Sequence, residues 1–143
     1  MSRNGNTFAS FRDLAGEVAA SFRGTDGILD GEIVCLDGHG CPQFEDLMFR
    51  RGERFFVAFD ALWIDGEDLR NLPLLERKHR LRRVVPRSTS HRLRYLNHIE
   101  VDGCTLYRLA CETDLEGIVA KHRGGLYDTR RQLWVKIKNP AYT

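Results

Sequence analysis

Lysine is scarce in this chain, with four among 143 residues beside eighteen arginines. Three of the four, Lys121, Lys136 and Lys138, sit in two short apolar stretches near the end, Leu115-Glu116-Gly117-Ile118-Val119-Ala120-Lys121 and Trp134-Val135-Lys136-Ile137-Lys138. A lysine ammonium is a compact, mobile point charge that binds phosphate without the fixed fork of a guanidinium. Lys136 and Lys138 are two apart, so a strand points both to one face and Val135 and Ile137 to the other. Side by side inside a fold they repel each other unless an anion lies between them, and phosphate is the obvious candidate. Glu32 and Glu116 each stand on a strand next to glycine, where a ligand can approach the backbone closely. Two carboxylates beside a polyphosphate are enough to hold magnesium with few protein ligands. Phe59, beside Asp60, offers a ring on which a base could stack. Each of these also has a plainer reading. Lys-x-Lys is often the solvent face of an edge strand, a lone Glu at a strand edge is often solvated, and a buried Phe is often core. By residue chemistry alone, the reading stops at a phosphate site on an antiparallel sheet.

The elements that must position these groups follow from hydrophobic periodicity. Phe8, Phe11, Ala15, Val18 and Phe22 recur at helical steps and predict a helix over 7–22, capped by Asn6 or Thr7. Ile28–Leu36 reads as a strand with the polar centre Asp30-Gly31-Glu32, whose acids need partners if buried. Asp37-Gly38-His39-Gly40 turns the chain, and Phe44–Phe49 reads as a short helix. Arg54–Ile64 suits a strand buried on both faces, again with an acid, Asp60, inside it. Leu75–Val84 is a predicted helix bounded by Pro86, Leu93–Ile99 a strand, and Cys104–Cys111 a helix with Leu106, Leu109 and Ala110 inward. Eight Arg or Lys residues and no acid lie between Arg77 and Arg94. They are either a solvated helix face and loop or a surface for a phosphate backbone.

Composition bounds the class. The chain is 42% hydrophobic and 29% charged with a net charge of +2, which reads as soluble and globular, one domain or part of one, with no global nucleic-acid signature. No apolar run approaches the roughly 20 residues of a membrane span, and the N-terminus has no signal-peptide core, so a cytoplasmic location is expected. Cys35, Cys41, Cys104 and Cys111 form no C-x-x-C pair or common zinc spacing and are read as reduced thiols packed as small hydrophobes.

The order of the pieces is more specific than any one of them. Ser2-Arg3-Asn4-Gly5, Asp30-Gly31-Glu32-Ile33-Val34, Val57-Ala58-Phe59-Asp60, the Leu115–Lys121 stretch and Trp134–Lys138 succeed one another along nearly the whole chain. This resembles the ordered motif set of ATP-dependent DNA ligases, most of all the ligase modules of bacterial end-joining proteins. RNA ligases and capping enzymes use similar motifs but fit the local wording less well. The resemblance implies an α+β fold, antiparallel sheets flanked by helices, in an incomplete nucleotidyltransferase, ATP-grasp-like adenylation domain. Its cofactors would be ATP and Mg2+ or Mn2+, its role nick sealing in DNA repair and recombination. Arg3 would contact the ribose, Glu32 the ribose or a metal, and Phe59 the adenine. Glu116 would hold metal, and Lys121, Lys136 and Lys138 the phosphates, the last two neutralising charge on the transferred phosphoryl. The family's nucleophile is the lysine of a Lys-x-Asp-Gly motif upstream of Ser-Arg-Asn-Gly, and none of the four lysines stands in such a motif. The family's oligonucleotide-binding domain is not among these residues either. Residues 1–143 are therefore expected to be part of an adenylation domain that forms no lysyl-AMP alone. Self-association or a partner chain is expected to cover the sheet edge that the upstream strands would occupy. The alternative is a non-catalytic remnant that keeps the sheet and the Arg77–Arg94 surface as a nucleic-acid or protein interaction module.

Overall fold

The computed structural model describes residues 5–38, 40, 42–100, 102–128 and 133–142. Its organising strand is β2 (Arg54–Ile64), which pairs antiparallel with β1 (Gly27–Cys35) along its whole length. β3 (Glu67–Asp68) pairs antiparallel with Trp63 and Ile64 after a tight turn in which Asp65 and Gly66 both take positive φ, 51° and 85°. β4 (Leu93–Tyr95) pairs with Phe56–Ala58, and this one pairing is parallel.

Helix α3 (Leu74–Val84) packs across the face of β2. Ala58 and Ala61 are fully buried, and their small side chains let the helix approach. Leu81, Val84 and Val85 fill the space together with Leu69, Ile64 and Leu93. β2 is therefore not buried on both faces throughout: Phe55, Ala58, Asp60, Ala61 and Ile64 are buried and the residues between them only half-buried. Over Phe59–Ala61 it has neither β3 nor β4 beside it, and side chains serve its backbone instead. Lys78 Nζ donates to the Phe59 carbonyl at 3.2 Å, and the Asp60 carboxylate accepts from the Ala61 N–H at 2.9 Å.

A second sheet pairs β5 (Gly117–Lys121) with β6 (Trp134–Lys138), antiparallel. Helix α4 (Gly103–Glu112) packs on β5, started by Asp102, whose carboxylate accepts from the Thr105 N–H at 3.0 Å. Residues 122–128 fasten this sheet to the first. Leu75 N–H donates to the Arg123 carbonyl, Arg77 Nη1 to the Gly125 carbonyl and Tyr127 N–H to the Arg70 carbonyl, at 3.3, 2.9 and 2.9 Å.

Four further expectations need correction. The first helix, α1, spans only Arg12–Ser21, behind a 3-10 turn over Ala9–Phe11, and no side chain caps either start. The turn instead brings Phe8 and Phe11 edge to face at 6.0 Å. The strand expected over 93–99 ends at Tyr95, because the chain leaves β2 once Leu96 N–H has bonded the Ala58 carbonyl. On α4 only Ala110 is buried and Leu109 is 53% exposed, since a two-stranded sheet is too narrow to cover that face. Cys35 is buried as expected and Cys111 is half-buried, but Cys104 is exposed; Cys41 lies outside the described residues. The remaining short helix, α2, is present as the pattern predicts and spans Phe44–Met48, one residue short of the expected end at Phe49. No helix among the described residues is long and apolar enough to cross a membrane.

Candidate functional site

Two bulges shape the first half of the site. Along β1 and β2, Ile28 faces Trp63 but Leu29 faces Ala61, and Asp30 faces Asp60 but Gly31 faces Ala58. Leu62 and Phe59 are therefore the extra residues. A bulge re-aims the side chain it carries, and Phe59 is turned by one. Gly31 makes the bulge possible: a Cβ there would lie 2.6 Å from the Val57 carbonyl oxygen and 2.7 Å from the Phe56 ring. Glu32 follows directly, exposed and with no hydrogen bond or ion pair among the described residues.

The second half is the β5–β6 sheet. Gly117 pairs with Lys138, Val119 with Lys136 and Lys121 with Trp134. Paired residues share a face, so Lys121, Lys136 and Lys138 all stand on one side of the sheet. Ile118, Ala120, Val135 and Ile137 take the other. Gly117 has φ +144° and lies so close to β6 that an added Cβ would collide with the Ile137 carbonyl oxygen and sit 2.9 Å from Lys138 Cα. Glu116, just before the strand, accepts from Lys136 Nζ at 2.6 Å. That hydrogen bond, aided by the charges of Lys136 and Lys138, lowers the Glu116 pKa.

The two halves meet at Lys121. Its ammonium lies 4.1 Å from the centroid of the Phe59 ring. Burial lowers its pKa, with Asp60 and Asp30 opposing the shift and Arg77 adding to it. Asp60 and Asp30, the strand-centre acids that are not exposed, are answered within the fold. Asp60 is 3% exposed and receives Arg77 Nε and Nη2, each at 2.8 Å. Asp30 receives the Tyr127 hydroxyl at 3.0 Å, and burial followed by the Asp30 charge pushes that phenol up to about 12.

Several functional positions were not evident from residue type. Tyr127, Arg77 and Asn139 hold the site without belonging to any of its motifs. Asn139 is buried and fixes the backbone on both sides of the Leu115–Glu116 bond: its N–H donates to the Glu116 carbonyl at 2.8 Å and its Nδ2 to the Leu115 carbonyl at 3.1 Å. An Asn directly after the Lys-x-Lys strand was the only signal. Lys78, read as one more member of a basic helix, is instead 6% exposed, and its Nζ also donates to the Leu96 carbonyl at 2.9 Å.

Burial, reinforced by the Lys121 charge and opposed by Asp60, brings the Lys78 pKa down to about 8. An unfolded lysine titrates near 10.5. The folded state therefore carries the full penalty of charging Lys78 below pH 8, and stability gains from this group as pH rises from about 8 to about 10.5. Lys78→Met is expected to abolish that gain, read as the difference between urea midpoints at the two ends of the window. An unchanged difference would count against a buried, charged Lys78.

What the arrangement can do is hold an anion. Lys121 and Lys138 have no ion pair among the described residues, and Lys136 has only Glu116. For a divalent cation the fit is of a particular kind. No group of three or more His, Cys, Asp or Glu side chains able to hold a metal occurs among the described residues. Glu116 and Glu32 nevertheless offer exposed hard oxygen donors, suited to magnesium that takes most of its ligands from phosphate and water. The structure joins Phe59 to Lys121 and Glu116 to Lys136, while Glu32 makes no hydrogen bond or ion pair with them, and Arg3 lies outside the described residues.

Known proteins share this chain's sequence pattern and fold. The family described as ATP dependent DNA ligase domain matches residues 1–138. The multifunctional non-homologous end joining protein LigD of Pseudomonas aeruginosa is 38% identical over 116 residues, covering 77% of this chain and 14% of that protein. A probable DNA ligase of Streptomyces avermitilis is 34% identical over 143 residues, covering 87% of this chain and 28% of the other. The chain thus spans well under a third of the length of these relatives. The fold is similar to the ligase domain of M. tuberculosis LigD, at 29% identity and TM-score 0.67, covering 90% of this chain and 42% of that one. It is also similar to a mycobacterial DNA ligase D complexed with ATP and MES, at 29% identity and TM-score 0.76, covering 96% and 46%.

Proposed function

Because the chain belongs to the ATP-dependent DNA ligase domain family, we propose that its described residues form the adenine- and phosphate-holding part of a ligase adenylation site. The observation that carries this reading is the Lys121 ammonium 4.1 Å over the Phe59 ring. A base-sized flat surface and the nearest of three lysines on one sheet face are adjacent, as a nucleotide joining base to phosphate requires.

In this reading Phe59 takes the adenine, and Lys121 exchanges its contact with the ring for one with a phosphate oxygen. Lys136 and Lys138 balance the charge on the phosphoryl group under attack, because phosphoryl transfer is mostly positioning and charge stabilisation. Glu116 and Glu32 would hold the magnesium, which when bound neutralises phosphate charge. A nucleotide phosphate also competes for Lys136 and so frees Glu116. Arg3 is the proposed ribose contact. The DNA whose ends receive the adenylate, and the repair setting, follow from the family.

The experiment is ATP titration by isothermal calorimetry. The 143-residue chain is expected to bind ATP. Phe59→Leu, which keeps the half-buried volume but not the π-face, is expected to weaken binding by about 5- to 150-fold, the equivalent of about 1–3 kcal/mol of stacking. Equal affinity in wild type and Phe59→Leu would sink the assignment of Phe59 to the base.

A further inference from the structure

Strand β6 is exposed at every position from Trp134 to Lys138, yet the residue that follows it, Asn139, is 6% exposed. A polar side chain more buried than the strand before it needs partners, and Asn139 uses every polar group it has. Its N–H donates to the Glu116 carbonyl at 2.8 Å and its Nδ2 to the Leu115 carbonyl at 3.1 Å. Its Oδ1 accepts from the Ala141 N–H at 3.0 Å and its own carbonyl from the Tyr142 N–H at 3.4 Å.

These bonds divide by purpose. Those to Ala141 and Tyr142 close a local turn, and an aspartate would serve the turn as well, because its carboxylate accepts too. Only the Leu115 carbonyl requires an amide donor. The residue type at 139 is therefore demanded by the stretch that carries Glu116, not by the turn. That stretch is irregular backbone. Between the end of α4 at Glu112 and the start of β5 at Gly117 it takes positive φ at Asp114, 50°, and β5 opens on a second at Gly117, 144°. Leu115 N–H donates back to the Ala110 carbonyl at 2.8 Å, and the carbonyls on either side of the Glu116 α-carbon are both taken by Asn139.

The Glu116 carboxylate has one partner among the described residues, Lys136 Nζ at 2.6 Å. A phosphate bound at the lysines competes for Lys136. Once Lys136 turns to phosphate, nothing on the side chain holds the carboxylate, and the backbone alone sets its direction. We infer that Asn139 is a positioning residue for the divalent cation: by fixing the two carbonyls that flank Glu116, it aims that carboxylate at the metal when Lys136 has left it. This deepens, and rests on, the adenylation-site reading above. Asn139 acts through Glu116, not by contact with nucleotide or metal. Partners of this kind, one layer behind a metal ligand, change metal affinity by about 10- to 100-fold when removed.

The test uses two measurements on the 143-residue chain. One is ATP affinity in EDTA, by calorimetry. The other is Mn2+ affinity of the ATP-bound chain, read from the electron paramagnetic resonance signal of free Mn2+. Asn139→Asp keeps the shape and the acceptor that serves the turn, and Asn139→Ala brings no charge. The change they share is the lost donor to Leu115. Both are expected to bind ATP in EDTA as wild type does and to weaken Mn2+ by about tenfold or more. In a Glu116→Gln background, Asn139→Asp should weaken Mn2+ no further, since a residue that acts through Glu116 has nothing left to aim. Wild-type Mn2+ affinity in either single variant overturns the inference. So does an equal loss of ATP affinity in EDTA, the result expected of a residue that only holds the sheet together, and so does a full further loss in the Glu116→Gln background. A wild-type chain that binds ATP but adds nothing to the Mn2+ affinity of ATP alone refutes the role of Asn139 and leaves the nucleotide site standing. One that binds no ATP, with or without Mn2+, refutes the reading beneath it.

Discussion

Replacing Arg77 by alanine is expected to cost about 3–5 kcal/mol of folding stability, the usual effect of removing one partner from a buried ion pair. Arg77 and Asp60 have side chains only 3% and 4% exposed. The guanidinium gives Nε and Nη2 to the two carboxylate oxygens and Nη1 to the carbonyls of Leu72 and Gly125 at 2.6 and 2.9 Å. It also rests over the Tyr127 ring at 5.6 Å. Alanine would leave Asp60 charged, buried and bonded only to the Ala61 N–H. A loss of this size is a large share of the roughly 5–15 kcal/mol that holds a domain folded. Arg77→Lys keeps the charge but cannot form the fork, so it should lie between the two. The double variant Arg77→Met with Asp60→Leu should be less damaged than Arg77→Ala, because it leaves no unpaired buried charge. Urea denaturation of the wild type and the three variants decides the matter. An Arg77→Ala stability within about 1 kcal/mol of wild type, nearer the scale of ordinary surface changes, would mean that the pair is not holding the sheets together.

Gly117→Ala is expected to take the second sheet apart at its functional end. The backbone there has φ +144°, a region that costs a side-chain-bearing residue about 1–3 kcal/mol. The new Cβ would also overlap the Ile137 carbonyl, which is backbone and cannot turn aside. The strands must separate where Gly117 faces Lys138, and that pairing sets the spacing of Glu116 from Lys136 and Lys138. The expected readouts are loss of amide-exchange protection in β5 and β6 while β2 keeps its own, and ATP binding weakened at least about tenfold, or about 1.4 kcal/mol. Gly16→Ala in α1 is the contrast: nothing lies within 4 Å of that position, and alanine should stabilise the helix by roughly 0.5–1 kcal/mol. Retained protection across β5 and β6 in Gly117→Ala would sink the argument.

These two residues illustrate how differently the site's parts could be read. Gly117 stands inside a motif, and its role follows from local geometry, so a glycine between Glu116 and an apolar strand already pointed to close backbone approach. The alternation Lys136, Ile137, Lys138 was equally legible, since a strand's period of two assigns faces without any knowledge of neighbours. The bounds of β2 and β6 and the helical character of α3 follow from apolar runs and periodicity for the same reason. Arg77 carried no such mark. In a row of eight cations nothing local separates the arginine that pairs with Asp60 from the one left free at Arg87, because pairing depends on where β2 lies against α3, seventeen residues away. Tyr127 reaches Asp30 across ninety-seven residues, a distance over which sequence spacing says nothing.

What the residues determined by themselves is the family and its ordered motifs, the strands that carry them, and three lysines at strand positions of matching parity. The family follows from the order of the motifs along the chain, and the strands and their parity from interactions within a few residues. Tertiary structure alone decided that Phe59 is the bulged residue, that Lys121 lies over it, that Asn139 fixes the backbone at Glu116, and which basic side chains are spent inside the fold. Each of those depends on register and on burial: a one-residue offset between paired strands turns a ring to a different side, and a charge removed from water must find its partner wherever the chain has placed one.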